Sequence, residues 1–536
     1  MKFLKTLCPS IEDILVLILF VSMLLSNRMN GDEVSAHLFN NVYVIAAGYF
    51  LARLLIAVNQ RHAHDAIVIS VQLWTVFEAL KGILQIVGVI SSNNSLFACT
   101  GSFDNPGPYG GFLAVGFSIS VFWLLEKGKA LSWASVILCC VVLPSTQSRA
   151  ALVAITVCGV IYLVTNTKAR SYARKYWKLI VLLVIVVCMV VFAFKRQSAS
   201  GRLFVNRMNV RTMVDNGMHG VGMGHFPSAY GNSQMAYFKD RIEFTDGIVV
   251  YDESDAERQV ADAPNAPFND YLRIGIEFGL WPMLLFVLSC GVSIRHLRMV
   301  GSPLLYGLVA MLVFMLFSYP LSEWQFLTVM IICMAYGAWG SCKDRVGMIR
   351  VGVPCVLSLL FVCMCVPKLG RLRECRKDEK RWESLRFLYE GKNYDNYEYC
   401  CSQLYDTQQY NCAFMYEYAY ALYMNQKYEE SRAIAQKGLK LSCNPLLYIL
   451  MGDLDKAQDR IIPAEQEYEN AFLIQPDRLY PLSKLAGLYH DIGDTVRFMN
   501  MVNCIREFKP RVESASTRQI RYEIDQMVWN SGTDQE

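Results

Sequence analysis

The sequence predicts an all-α fold in two parts: a polytopic transmembrane helical bundle of about eleven spans with one large outer-face loop, followed by a helical-repeat domain. Three observations predict it. Hydrophobic residues fill 54% of the 536 positions, charged residues only 18%, and the mean hydropathy is +0.26, the balance of an integral membrane protein. Apolar windows of near-spanning length recur from residue 11 to residue 366. From Lys368 onward the chain becomes polar and charged with helical periodicity, which divides it into residues 1–367 and 368–536. A formal charge of +4 is too small to mark a nucleic-acid binder.

In chain order the apolar windows fall at 11–25, 41–58, 66–90, 109–125, 130–146, 150–165, 178–194, 271–290, 302–319, 325–341 and 350–366. A helix rises about 1.5 Å per residue and the hydrocarbon core is about 30 Å thick, so about 20 residues cross it. The first window follows a basic start, "MKFLKTLCPS". It reads as a first span rather than a cleaved signal, because further spans follow at once and no small-x-small cleavage site is visible.

Lysine and arginine set the orientation. Lys2 and Lys5, then "EKGK", "TKARSYARKYWK", "RHLR" and "KDR" in the connections, all fall on one side if the N-terminus is cytoplasmic. The alternate connections "SSNNSLFACTGSFDNPGP" and "SYPLSEWQ" carry neither residue. Residues 195–270 then form one large outer-face loop, a length that usually carries function. With an odd number of spans the tail lies on the outer face as well, although Lys368, Arg371 and Arg373 argue mildly against it.

Three stretches of the tail each read as helix, turn and second helix, ending at Pro445, Pro476 and Pro510. The last two prolines are 34 residues apart, and the segments resemble the tetratricopeptide family in their Ala/Leu/Tyr packing positions and terminal proline. That resemblance implies a stacked array with a concave face for a protein partner; an irregular helical domain is the alternative. Of the 18 cysteines, those before Cys375 mostly sit in apolar runs and read as packing residues,. Cys400, Cys401, Cys412, Cys443 and Cys504 lie in the tail, where an oxidising compartment would allow pairing but free thiols are the simpler reading.

Three polar clusters fall on the outer side. In "TQSRAAL", Arg149 opens the sixth apolar run, where an arginine either snorkels to the interface or faces a polar cavity. In 198–226, Arg202, Arg207 and Arg211 precede glycines 220, 222 and 224. Arg207 and Arg211 share a helix face, and guanidinium groups grip phosphate oxygens as a fork; a solvated helix lying on anionic headgroups is the competing reading. In "ADAPNAPFNDYLRIGIEFG" (261–279), Asn269, Arg273 and Glu277 recur four apart on a face distinct from Phe268, Leu272 and Ile276. That pattern describes a helix entering the bilayer with its polar stripe toward an outward-opening cavity, or merely a local Arg273–Glu277 pair.

Arg149 in an S-R pair, "SGRL" leading to "GVGMGHF", the Tyr230/Gln234/Tyr237/Phe238 stretch, and "FNDYLRIGIEFGLWPMLLF" occur in this order around a large outer loop. Together, over roughly residues 100–320, they look like the O-antigen ligase and polymerase family, in the subgroup with a tetratricopeptide-like tail. The resemblance implies a glycosyltransferase of lipopolysaccharide or polysaccharide biosynthesis, multi-pass in the bacterial inner membrane, with its loop in the periplasm. The implied donor is an undecaprenyl-diphosphate-linked glycan. The implied acceptor is a hydroxyl on lipid A core, on another glycan or on a protein. Cleavage at the anomeric carbon loads negative charge on the diphosphate, which fixed arginines stabilise without a metal. Carried over by motif, Arg149 and Arg202 are the first diphosphate candidates and Arg207 and Arg211 the next. The reaction is expected to invert the anomeric centre and to need no cofactor.

Two departures stand out. The histidine often found before the "N-x-Y-L" pattern is Phe268, and the tryptophan four residues after the "GR" arginine is Asn206. Phenylalanine cannot take a proton. His225, His219, Asp270 and Glu277 are the substitutes at hand, so Asn269, Asp270, Glu277 and His225 form the candidate catalytic set. Polymerase and protein oligosaccharyltransferase share this donor chemistry and stay open. A lipid-linked glycan transporter would more often show inverted repeats and broken helices, and neither is visible. A pure membrane scaffold leaves the arginine-bearing motifs unexplained.

Overall fold

The computed structural model describes residues 10–59, 62–166, 175, 196–252, 254–342 and 351–533. The seventh apolar window (178–194), the basic segment 343–345 and most of 167–178 lie outside them.

In chain order the longer helices are α1 (Ile11–Asn30), α2 (Asn40–Val58), α3 (Ala63–Ile86), α4 (Pro106–Lys127), α5 (Ala130–Thr146), α6 (Arg149–Thr165), α7 (Arg196–Asp215) and α8 (Phe226–Lys239). A hairpin of β1 (Glu243–Thr245) and β2 (Ile248–Val250) follows. Then come α9 (Asp270–Phe278), α10 (Leu280–Val300), α11 (Leu304–Met315), α12 (Trp324–Cys342), α13 (Val353–Ser384) and α14 (Tyr394–Gln408). The last seven are α15 (Cys412–Met424), α16 (Tyr428–Leu441), α17 (Pro445–Lys456), α18 (Ile461–Ile474), α19 (Tyr480–Asp491), α20 (Thr495–Glu507) and α21 (Ala515–Thr533). The fold is all-α apart from that one hairpin among the described residues.

Two compact units divide the chain. The first holds Met1–Asp32, Ala36–Arg196 and Pro267–Lys368; the second holds Glu33–Ser35, Gln197–Ala266 and Leu369–Glu536. Residues 197–266 of the long loop are therefore grouped with the tail.

In the first unit, length and composition qualify the helices at 33–58, 63–86, 106–127 and 280–300 to cross a membrane, and a fifth begins here at 353. Three apolar helices are shorter, α5, α6 and α11. The count of about eleven is thus not reached among the described residues. The reason is visible in α11, whose 12 residues extend about 18 Å against a core of about 30 Å. Helix α4 shows how the sequence sets its own ends: Asn105 caps the first turn by accepting from Gly107 N at 2.8 Å, Pro106 follows, and Gly128 closes the last turn at φ 63,. Its glycines allow close helix approach. A Cβ at Gly116 would lie 1.9 Å from Thr75 Oγ1 of α3, and one at Gly111 would lie 2.4 Å from Phe314 Cζ of α11.

A buried polar cluster ties α1, α2 and α10 together. Arg53 Nε stands 3.5 Å from Asp13 Oδ2, Tyr49 donates to Asp13 at 2.9 Å, and His296 pairs with Glu12. Charges buried in this way hold only when partnered, since leaving one alone inside an apolar bundle is costly.

In the second unit, α15/α16, α17/α18 and α19/α20 are three successive packed helix pairs, at the places where the sequence shows its three repeats. Loop residues pack on the ends of the second helices of those pairs. Gln234 donates to Ile474 O at 2.7 Å, Ser228 to Leu439 O at 3.1 Å and Arg258 to Pro476 O at 2.8 Å. A Cβ at Gly231 would lie 2.2 Å from Cys443 Cβ, so α8 meets the tail with almost no space between them. The β1–β2 turn uses Asp246 at φ 49 and Gly247 at φ 75, the left-handed pair that closes a two-residue hairpin. Gly247 also abuts Arg497, where a Cβ would come within 2.4 Å of its carbonyl oxygen.

Candidate functional site

Arg149 is the first residue of α6 and is half-buried. The turn ahead of it is pressed on α4: Ser148 Oγ donates to Gly107 O at 3.3 Å, and a Cβ at Gly110 would lie 2.6 Å from Ser148 Cβ. Arg149 thus adds its charge to the positive end of α6, where anions are favoured,.

In the same unit α9 carries the third cluster. Asn269 Oδ1 accepts from Tyr271 N at 3.1 Å and Leu272 N at 3.2 Å, which caps the helix,. Gly279, at φ 95, separates α9 from the spanning helix α10. The single helix that the sequence window 271–290 suggests is thus two, because a left-handed glycine interrupts the ladder. Arg273 Nη1 donates to Ser322 Oγ at 2.6 Å, and its Nε stands 3.5 Å from Glu277 Oε2. Asp270 is fully buried; its Oδ2 accepts from Leu321 N at 2.7 Å, while Oδ1 has no hydrogen-bond partner among the described residues. Burial, against the pull of Arg273 and that N–H, pushes the carboxyl up to about 7,. A buried carboxyl poised near neutrality with one oxygen unpartnered is suited to take up a proton,. Phe268 just before it sits at φ 52 and packs edge-on to Tyr319 at 5.8 Å. A bulky residue in that region is strained, the kind of outlier that clusters at functional sites.

In the second unit, the four-residue spacing places Arg207 and Arg211 on one face of α7 above the Tyr237 ring, at 5.2 and 5.4 Å,. Arg241 covers the same ring at 4.0 Å. Arg207 donates to Tyr237 Oη at 2.6 Å, and both bind Glu257, which also has Arg241 Nη1 at 3.5 Å. Partial burial pulls the Glu257 carboxyl up, but the bonds from Arg207 and Tyr237 outweigh it and hold it below its ordinary range. Arg211 pairs with Asp215 at 3.6 Å. Arg202 is half-buried and lies about 140° round the helix from Arg207. Beside the cluster opens a cavity of about 550 Å³ lined by Arg207, Arg241, Tyr251, Asp252, Glu257 and Arg258 among others, a size that holds a small ligand.

Glycines 220, 222 and 224 stand at φ 92, 92 and 88, a backbone course open only to glycine, and deliver His225 to the start of α8. Its Nδ1 lies 2.9 Å from Lys440 O; His219 is exposed. The structure thus joins Arg207 with Arg211 in one cluster and Asp270 with Glu277 around Arg273. Arg241 and Glu257 belong to the same cluster as Tyr237 but escaped the sequence reading, because Glu257 lies 50 residues from Arg207 and 20 from Tyr237. Among the described residues no three His, Cys, Asp or Glu side chains converge on a metal-sized point.

Residues 134–287 match a protein-family model described as O-antigen ligase. The match spans Arg149, α7, α8, the hairpin and α9 and leaves the tail outside. No curated protein and no solved structure matches the chain.

Proposed function

We propose, on the premise of that O-antigen ligase match, that the protein transfers a glycan from an undecaprenyl-diphosphate-linked donor to an acceptor hydroxyl at the periplasmic face of the bacterial inner membrane. The observation that carries the proposal is the span of the match, residues 134–287, which takes in both arginine-bearing segments and the buried carboxyl of Asp270. In this reading Asp270 accepts the proton of the attacking hydroxyl. A bond forms from that oxygen to the anomeric carbon as the bond to the diphosphate breaks, with inversion. The negative charge left on the diphosphate is assigned to the arginines carried over by motif, Arg149 and Arg202 first and Arg207 and Arg211 next.

Loop and tail hydrogen-bond to one another within one unit, and segments so joined occupy the same side of a bilayer. This supports a periplasmic tail. Lys368, whose charge argued otherwise, donates to Asn40 Oδ1 at 2.7 Å and lies 4.4 Å over the Tyr43 ring, so its place is explained by local contacts. The helix pairs of the tail are proposed to be tetratricopeptide repeats.

The test is a deletion strain complemented with wild type, Arg149→Ala or Arg202→Ala at equal membrane expression. Transfer predicts that the variants accumulate lipid-linked donor and lose mature glycan; chains shortened to one unit would identify a polymerase. Normal glycans from both variants would remove the diphosphate assignment.

A further inference from the structure

Three arginines line the 550 Å³ cavity of the second unit, and their charges are answered unequally. Arg207 is bound to Glu257, and Arg241 has Glu257 at 3.5 Å and Asp255 at 3.8 Å. Arg258 is only 2% exposed, yet it enters no ion pair among the described residues. Its Nη1 donates to the neutral carbonyl of Pro476 at 2.8 Å, and its Nε has no hydrogen-bond partner among the described residues. Asp477 interacts with it from beyond ion-pair reach and is itself paired with Arg478 at 3.6 Å. The guanidinium carbon lies 4.2 Å from the centre of the Tyr251 ring and 5.1 Å from that of Phe508. Rings ease the burial of a cation, but they accept no hydrogen bond in the plane of the guanidinium. A charge so enclosed without a counter-charge is costly, and an anion at its open edge would remove that cost.

The rest of the cavity narrows the kind of anion. Asp252, Asp255 and Glu257 line it as well, so a doubly charged phosphate would meet three carboxylates, whereas a single carboxylate adds one charge to answer one. The planar carboxylate also matches the in-plane fork of a guanidinium. Asp252 accepts from Ser254 N at 2.8 Å and Ser254 Oγ at 2.6 Å, both through Oδ1, which leaves Oδ2 to accept from a donor on the ligand. One wall thus calls for an acceptor and another for a donor. The volume exceeds what a bare carboxylate fills and is in the range of small-ligand sites,. A carboxylic acid carried on a hydroxylated ring meets all three conditions.

We propose that this cavity binds an acidic sugar of the hexuronate class, with the open edge of Arg258 holding its carboxylate and Asp252 accepting from a hydroxyl of its ring. The choice of a sugar rests on the transfer reading, which makes the ligand a unit of the glycan being joined; the cavity residues fall within the segment that matches the O-antigen ligase model. The site is a recognition site. Arg258 selects a glycan by its charge, a task separate from the charge stabilisation assigned to Arg149 and Arg202.

The test titrates the full-length protein in detergent with D-glucuronate and follows binding by saturation-transfer NMR. Wild type should bind it saturably, and D-glucose, which keeps the ring and lacks the carboxylate, at least about tenfold more weakly. This comparison needs no variant. Arg258→Gln, checked for a wild-type melting temperature, should lose about tenfold for glucuronate and change little for glucose. No saturable binding of glucuronate, equal binding of the two sugars, or equal glucuronate binding by the variant overturns the proposal. So does acetate or inorganic phosphate that binds as tightly as glucuronate, which would mark a bare anion site, or triglycine that does so, which would mark a peptide terminus. Arg149→Ala and Arg202→Ala, assayed for glycan transfer in cells, separate the two readings. If glucuronate binds as stated while both variants make normal glycan, the diphosphate assignment fails and the carboxylate site stands. If both lose transfer and wild type binds no glucuronate, the cavity proposal alone fails.

Discussion

Asp270 accepts the backbone N–H of Leu321 at 2.7 Å through one carboxylate oxygen and leaves the other without a partner among the described residues. The turn that contains Leu321 thus anchors the side chain without consuming it, and the same turn receives Arg273 through Ser322.

The first prediction follows from the sign of the Asp270 shift, from 3.8 to about 7. Because the folded value is raised, the folded state holds the proton more tightly between those limits, and this group's contribution to stability falls as pH rises through that window. Asp270→Asn should therefore gain stability relative to wild type above pH 7. Transfer by wild type should rise with pH through about 7, whereas the variant should lose that limb and about 100-fold in rate. An unchanged pH–rate profile would exclude Asp270 from the proton step.

Glu257 organises Arg207, Arg241 and Tyr237. Arg207 is 52% exposed, so Arg207→Ala and Glu257→Gln should each change stability by no more than about 1 kcal/mol. Arg207→Ala should nonetheless cut transfer about 100-fold through lost charge stabilisation. Thermal unfolding and donor accumulation, measured on the same preparations, separate the two effects.

The Arg53–Asp13 pair is fully enclosed. Arg53→Ala should destabilise the bundle by about 3–5 kcal/mol by leaving the Asp13 charge without its counter-charge, and Asp13→Asn added to it should restore part of the loss. Denaturant unfolding in micelles checks this; additive effects would show that the pair is not coupled.

Gly231→Leu should force α8 from Cys443, with a loss of about 1–3 kcal/mol from overpacking. The buried Cys443 thiol would then react faster with maleimide than in wild type. Equal rates would mean that the interface absorbs the side chain.

Asn269→Ala should cost about 1 kcal/mol and Asn269→Asp almost nothing, since aspartate caps equally well. A loss of transfer in the aspartate variant at wild-type stability would point to a role beyond capping.

The all-α class and the helical course from residue 270 were legible because periodicity is a local property, but the break at Gly279 that divides the window 271–290 into two helices was not. Asn269 was visible as polar, but its task as a cap depends on where the helix begins. The Asp246-Gly247 turn carries a hairpin signal in its two residues, yet strands of three residues are too short to show alternation. Loop–tail packing was invisible for another reason. It runs through backbone carbonyls at 439, 474 and 476 and through the bare Cα of Gly231, none of which has a side-chain signature. The Arg207–Glu257 pair joins positions fifty residues apart, and a single sequence offers no rule that selects one carboxylate among the several of 252–257.

The joining of loop and tail in one unit also sets an order of synthesis. Residues 267–368 separate the two partners, so at about 5–20 residues per second the finished loop waits about 5 to 20 s before the first tail residue is even translated. During that interval Gly231 and Gln234 of α8 have nothing to meet, since residues 443 and 474 do not yet exist. A ribosome that stops after the last membrane helix would release a bundle of nearly normal length whose loop never acquires its partner, and quality control would encounter the fault in the loop, far upstream of the break.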